Sequence, residues 1–446
     1  MFVPHSDADT KAMLRTIGVK TLEELFTDVP QQFRYPDLDL PAALTEMEAN
    51  EDLQEIASAN VTVAEWPSFL GAGAYNHYVP AVVDSILRRG EFYTAYTPYQ
   101  PEVSQGTLQV IFEYQSMIAA LTGMDASNAS HYDGATAAAE AVNMSQAITR
   151  GKRHKVILSP GLHPHYRETI YTYDMGTEVI LAGENLSPEN GPQDLIGMLD
   201  EDTALVMVQY PDFYGRVYDF TELAEAVHEA GALLSISVNP MALGLLKTPG
   251  EFGADIVTGE GQPLGVPLSY GGPYLGILAT KNKYVRSLAG RLVGETTDTR
   301  GQRGYVLTLS TREQHIRREK AMSNICTNVA LIALAATVYM SLVGKQGMRE
   351  AAELSYHKAH YAADQLSGLP GYSLWSKEPF FNEFMLNTPE PAAAVNAILL
   401  ENGMLGGLDV STVIPQHENA LLLAFTEMNS REDIDRLVEV LAEVQK

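Results

Sequence analysis

Phenols, side-chain amides and a carboxylate are concentrated in one short stretch, Tyr96-Thr97-Pro98-Tyr99-Gln100-Pro101-Glu102-Val103-Ser104-Gln105-Gly106. Pro98 and Pro101 exclude regular secondary structure there. The polar groups of Tyr96, Tyr99, Gln100, Glu102, Ser104 and Gln105 are of the kind that line binding sites; the competing reading is a rigid surface loop. A second candidate is Ser269-Tyr270-Gly271-Gly272-Pro273, where paired glycines let the backbone approach a ligand or another chain closely. An ordinary turn would look the same. Asp133-Gly134-Ala135-Thr136 opens a run of small residues, so free N–H groups and the helix dipole there could hold a phosphate. Close helix packing accounts for the run equally well. His163-Pro164-His165 resembles a metal pair, but no further His, Cys or acidic cluster stands at ligand spacing, so no metal site is expected. The Arg300-Gly301-Gln302-Arg303 loop could anchor an anion, although solvated arginines are the commoner explanation.

Such side chains need a scaffold, and the hydrophobic pattern supplies one. Short apolar runs at Val156 to Leu158, Val179 to Leu181, Leu205 to Val208, Leu233 to Val238, Ile256 to Val257 and Leu275 to Leu278 alternate with helix-length stretches such as Asp219 to Ala230. Strands of that length alternating with helices predict parallel pairing through crossovers, hence an α/β sheet covered on both faces. Ahead of them, Leu108, Ile111, Phe112, Ile118 and Leu121 predict a helix with Ser104 as N-cap and Gly123 as its stop. Residues 1–60 read as a helical, acidic arm that packs through Met13, Leu14, Ile17, Leu22 and Leu25. The expected division is this arm, a large α/β domain over 61–318, and a smaller α+β domain over 319–446 ending in a helix from Arg431 to Val444.

With 446 residues, 46% of them apolar, the chain can bury one large core and a second, smaller one. Its formal net charge of −26 argues against nucleic acid as a partner, since phosphate binding needs clustered Lys and Arg. The single cysteine, Cys326, rules out an internal disulfide framework and fits a reducing cytoplasm. Met1-Phe2-Val3-Pro4-His5 lacks a basic region followed by an apolar stretch, so no secretory signal is expected. Val329 to Val343 is apolar and Ala-rich but shorter than the roughly 20 residues a membrane span needs, and predicts a buried helix.

Three segments in order carry a resemblance: the Tyr96–Gly106 loop, the run Gly259-Glu260-Gly261-Gln262-Pro263 continuing to Pro273, and Arg317-Arg318-Glu319-Lys320-Ala321-Met322-Ser323-Asn324-Ile325-Cys326-Thr327. Together they resemble the P-protein of the glycine cleavage system, in particular its first or alpha subunit where two chains share the protein. The resemblance runs over essentially the whole chain. It implies a fold-type-I, aspartate-aminotransferase-like pyridoxal-phosphate architecture: a large, mostly parallel sheet with a smaller C-terminal α+β domain. It also implies that glycine is decarboxylated with pyridoxal phosphate and its aminomethyl group passed to the lipoyl arm of H protein.

An enzyme of that kind needs a lysine after a late strand and a carboxylate against the pyridine nitrogen. No lysine occurs between Lys247 and Lys281, and Pro263, give or take a residue, stands where the family's catalytic subunit would carry it. Ser237 or Val238 stands where the carboxylate should end the strand Leu233 to Val238. No catalytic residue is therefore expected in this chain alone. The resemblance implies that a second subunit carries the cofactor, while Tyr96, Pro98, Tyr99, Gln100, Glu102, Ser104 and Gln105 complete that partner's site. Ser269, Tyr270, Gly271 and Gly272 would reach the partner's cofactor in trans. Two other readings are a self-sufficient pyridoxal-phosphate lyase using Lys247 or Lys281, and a paralogue with no catalytic contribution.

Overall fold

A computed structural model describes residues 4–444. Met1 to Val3, read above for a leader, and the last two residues of the C-terminal domain lie outside the described residues. The chain divides into two compact units, Met1–Val61 and Thr62–Lys446. The first holds helices Asp7–Ile17 and Glu46–Ser58, each opened by a capping box, Ser6 with Asp9 and Thr45 with Glu48. The expectation of a packed arm does not hold. Leu14 is buried, but Met13, Ile17, Leu22 and Leu25 are exposed, as are Phe33, Leu40, Met47 and Ile56. The two helices are short, and turns and extended chain separate them, so neither apolar stripe gains enough partners to be covered.

The second unit is built on a seven-stranded sheet: β1 (Ala126–Ser127), β2 (Lys155–Leu158), β3 (Ile180–Ala182), β4 (Thr203–Tyr210), β5 (Leu233–Val238), β6 (Ile256–Glu260) and β7 (Gly276–Thr280). Their order across the sheet is β1-β7-β6-β5-β4-β2-β3. Strands β2 to β6 pair in parallel, and every residue of β5 and β6 is buried, which is why they read as apolar runs without alternation. Strand β7 departs from the parallel expectation and runs antiparallel to β6. The link between them contains only a short 3-10 turn, Ser269–Gly271, and no helix to carry the chain back for a parallel crossover.

Helix Gln105–Thr122 buries Leu108, Ile111, Tyr114 and Ile118 and ends at Gly123 in the left-handed conformation (φ 70°). Ser104 occupies the N-cap position, but its side chain makes no capping bond. Hairpin β8 (Leu292–Thr297) and β9 (Arg303–Thr308) packs on this helix through Val293 and Tyr305. The C-terminal layer is a four-stranded antiparallel sheet of β10 (Ser373–Leu374), β11 (Glu383–Asn387), β12 (Leu408–Asp409) and β13 (Ala420–Ala424), backed by helices Ala392–Glu401 and Arg431–Glu443. The Ala-rich run begins helix Ala330–Ser367, which is long and apolar enough by composition to cross a membrane. Here Ala333, Ala336 and Tyr339 pack in the core of the large sheet. Beyond a break at Gly344 (φ 58°), Ala359, Ala362 and Leu366 enter the core of the small one.

Candidate functional site

Open α/β sheets place ligands beyond the carboxyl ends of their strands. At that edge the ends of β4, β5 and β6 meet the small sheet around a cavity of about 30 Å³, lined among others by His163, Gln209, Ser237, Glu260, Pro263 and Glu383. That is room for a water molecule or two. Glu260, the last residue of β6, accepts hydrogen bonds at Oε1 from the N–H groups of Gln262 and Leu275, and at Oε2 from that of Gly134 (2.9 Å each). Gly134 is the first residue of helix Gly134–Thr149, whose N-cap Asp133 accepts from Thr136 N–H at 2.7 Å. A Cβ at Gly134 would collide with the Tyr166 hydroxyl and the Glu260 backbone, so this close approach requires glycine. Burial pushes the Glu260 carboxyl up to about 7, against the three N–H donors that draw it down.

Gln262 is fully buried. Its Nε2 donates to the carbonyls of Val266 and Tyr75 (2.7 and 3.0 Å), and its Oε1 accepts from Tyr75 N–H (2.9 Å). The same strap is tied to the small sheet: Glu383, at the start of β11, accepts from Ala72 N–H (2.6 Å) and the Tyr75 hydroxyl (2.8 Å). Burial pushes Glu383 up to about 7 as well. His163 accepts from His165 N–H at Nδ1, which leaves Nε2 to donate to the Ala72 carbonyl (2.8 Å), and burial lowers its pKa to about 4. Both ring nitrogens are thus engaged locally. Alongside, Asp212 and Arg216 form a buried ion pair at 2.7 Å, with the guanidinium over the rings of Tyr214, Tyr218 and Trp375.

Set against pyridoxal phosphate, this chain's own cavity does not fit. The phosphate would need the opening turn of helix Gly134–Thr149, where the Glu260 carboxylate already takes the Gly134 N–H. Ser237, buried in β5, supplies no carboxylate. The stretch after β6 offers Gln262 and Pro263, and neither candidate lysine reaches the cavity. Lys247 donates to Thr221 Oγ1 and lies over the Phe252 ring. Lys281 pairs with Asp255 at 3.0 Å, at the opposite edge of the sheet. Of the two readings of the run from Gly134 to Thr136, close packing is what the chain displays, with the Gly134 N–H given to Glu260.

The other anticipated residues lie away from the cavity. Tyr96 is 88% exposed, Gln100 and Glu102 are exposed, and Ser104 is half-buried; Pro98 is buried. Arg291 Nη2 donates to the Tyr99 hydroxyl at 3.2 Å, and its guanidinium stands 5.5 Å from that ring. Gln105 is bonded at both ends to the Tyr305 backbone (2.8 Å each) and donates to the Pro101 carbonyl. These contacts hold the base of the loop and leave its tip outward. Ser269, Tyr270, Gly271 and Gly272 all have left-handed backbones, and the Tyr270 ring is 92% exposed. Neither segment lines the cavity. Arg300 and Arg303 sit exposed at the turn of the β8–β9 hairpin. Sequence reasoning missed the Glu260–Gly134 contact and the Glu383–Tyr75 tie; the one available signal was an acid ending a strand whose following stretch lacks lysine.

The sheet order, the site at its carboxyl edge and the added small sheet define the fold-type-I architecture of pyridoxal-phosphate enzymes. A cystine C–S lyase, C-DES, solved as a variant with glycine covalently linked to its PLP cofactor, shares this fold with a TM-score of 0.61 at 14% identity over 85% of this chain and 97% of its own. Residues 1–441 match the glycine cleavage system P-protein family, and the chain belongs to that family. It is 55% identical to a probable glycine dehydrogenase (decarboxylating) subunit 1 of Thermomicrobium roseum, over 99% of both chains. It also superposes on a glycine decarboxylase (P-protein) of the glycine cleavage system, solved in inhibitor-bound form, with a TM-score of 0.90 and 43% identity over the full length of both.

Proposed function

We propose that this chain is the cofactor-free half of a two-chain glycine decarboxylase. Its partner, a second P-protein subunit, holds the pyridoxal phosphate that accepts the electron pair when glycine loses CO2. The aminomethyl group is then passed to the lipoyl arm of H protein, in the cytoplasm. The observation that carries this reading is the Glu260 carboxylate on the Gly134 N–H, in a cavity with no lysine. A relative named as a subunit supports a division of labour between two chains.

This chain's own contribution is to shape and close the partner's site. Tyr96, Pro98, Tyr99, Gln100, Glu102, Ser104 and Gln105 form a Pro-braced loop, anchored by Arg291 and Tyr305, that presents phenols and amides outward. Ser269 to Gly272 offers a hydroxyl and backbone N–H groups in a left-handed turn, suited to an anion such as the partner's cofactor phosphate. The exposed apolar residues of the first unit supply area for assembly.

The test is reduction with borohydride of the co-purified pair loaded with pyridoxal phosphate, followed by peptide mapping. Label is expected in the partner alone. Stoichiometric label on Lys247 or Lys281 would establish the self-sufficient lyase instead.

A further inference from the structure

At the amino-terminal edge of the parallel strands, opposite the cavity, lies a recess of about 560 Å³. Its size is that of small-molecule sites. Lys152, Arg153, Lys281 and Lys283 line it, an unusual gathering in a chain whose formal charge is −26. Part of this charge has a structural use. Asp255 is fully buried beneath the recess, and its carboxylate is met by His228 at 2.8 Å, Lys281 at 3.0 Å and Lys283 at 3.6 Å. Arg153 donates to the carbonyls of Thr203 and Ala230 (2.8 and 2.9 Å), the latter at the end of helix Thr221–Glu229. Helix Gly134–Thr149 ends at the same recess.

Those uses do not absorb the charge. Four cations face one carboxylate and two helix C-termini, each worth about half a negative charge. No carboxylate stands among the described residues that line the recess, and the nearby Asp125 and Asp202 accept from the backbone N–H groups of Asn282 and His154. Lys152 makes no side-chain ion pair or hydrogen bond among the described residues, and Lys283, with 60% of its side chain exposed, is held only by its long contact to Asp255 and by the Tyr284 ring. Beside the cations stand the half-buried Ile148 and Tyr284, apolar surface that an inorganic ion alone would not use.

We propose that this recess binds a small organic polyphosphate, with Lys152 and Lys283 on the phosphates and Ile148 and Tyr284 against the organic part. Lysine suits that task because its ammonium acts as a compact point charge towards phosphate. The recess shares no lining residue with the cavity at the carboxyl edge and does not depend on the function proposed above.

The test is calorimetric titration of the full chain, without any partner, using ATP and sodium tripolyphosphate as probes at constant ionic strength of about 0.1 M, where exposed charges farther apart than about 10 Å are largely screened. Saturable one-to-one binding of ATP is expected, with Kd about 1 mM or tighter, and ATP binding more tightly than tripolyphosphate. The double variant Lys152→Ala, Lys283→Ala should weaken ATP at least tenfold, and Lys152→Ala alone should weaken it while leaving the thermal midpoint unchanged. The pair Lys152→Arg, Lys283→Arg should retain it. Absence of saturation with ATP, equal binding by the double alanine variant, or tripolyphosphate binding as tightly as ATP would overturn the proposal.

Discussion

Glu260→Gln tests whether a buried carboxylate substitutes for a phosphate in this chain. With the amide oxygen placed at Oε1, the bonds from Gln262 and Leu275 survive, but the amide NH2 then faces the Gly134 N–H, and one buried donor loses its acceptor. An orphaned buried donor costs about 1–3 kcal/mol. For a chain of this size each kcal/mol moves the thermal midpoint by roughly 1–2 °C. A fall of roughly 1–6 °C at pH 6 follows from combining the two. The pH dependence has a definite sign. Burial raises the folded-state pKa of Glu260 from 4.5 to about 7, so the protonated form is favoured by folding. The wild type's stability from this group is full below 4.5 and is lost as pH rises through 7. The penalty for Gln, which does not titrate, should therefore shrink between pH 6 and pH 8. Differential scanning of both proteins at the two pH values measures this. A penalty that stays the same at the two pH values would refute the reasoning, because it would mean that the three N–H donors overcome burial and keep the carboxylate ionised at pH 6. Glu260→Ala supplies a second arm: with the carboxylate gone, inorganic phosphate at ten times its Kd should restore about 1.4 kcal/mol. No rescue by phosphate would remove the claim that Glu260 occupies an anion cradle.

Four further outcomes are expected. Pro263→Lys alone, without the partner, should show no glycine-dependent CO2 release, since position 237 still lacks a carboxylate; measured release would overturn the account of that strand end. In the assembled enzyme, Tyr99→Phe removes one hydroxyl bonded to Arg291, worth about 0.5–1.5 kcal/mol, so turnover should fall by up to about tenfold with assembly intact by gel filtration. Arg216→Met strands Asp212 in a buried setting and should destabilise the chain by about 3–5 kcal/mol, whereas unchanged denaturation would mean the pair is replaceable. Deleting residues 1–61 should leave the midpoint of the remaining unit near its original value but weaken co-purification with the partner, because among its described apolar side chains the deleted unit buries only Leu14.

How far the sequence could be read depended on whether the deciding contact was local. All six anticipated strands formed; in β4 to β7 burial on both faces imposes a continuous apolar run, whereas β3, at the sheet edge with Ile180 exposed, shows only a short one. The direction of β7 did not show, since it is set by the short link after β6 and not by β7 itself. The arm was misread for the opposite reason: Met13, Ile17 and Leu25 carry a helix-like pattern that says they want cover, not where cover comes from. The missing lysine was legible, because an absence between Lys247 and Lys281 needs no third dimension. What replaced it was not legible. Gly134 and Glu260 stand 126 residues apart, and each alone has a bland explanation, the glycine as a packing residue and the glutamate as a polar strand end. Only the crossing of helix Gly134–Thr149 over the end of β6 makes them one feature. The stretch after β6 therefore differs by more than the absence of a lysine, because Glu260 also engages the Gly134 N–H. A carboxylate delivered from β6 satisfies the Gly134 N–H from within the chain, so an anion reaching that helix N-terminus meets a donor that is already engaged.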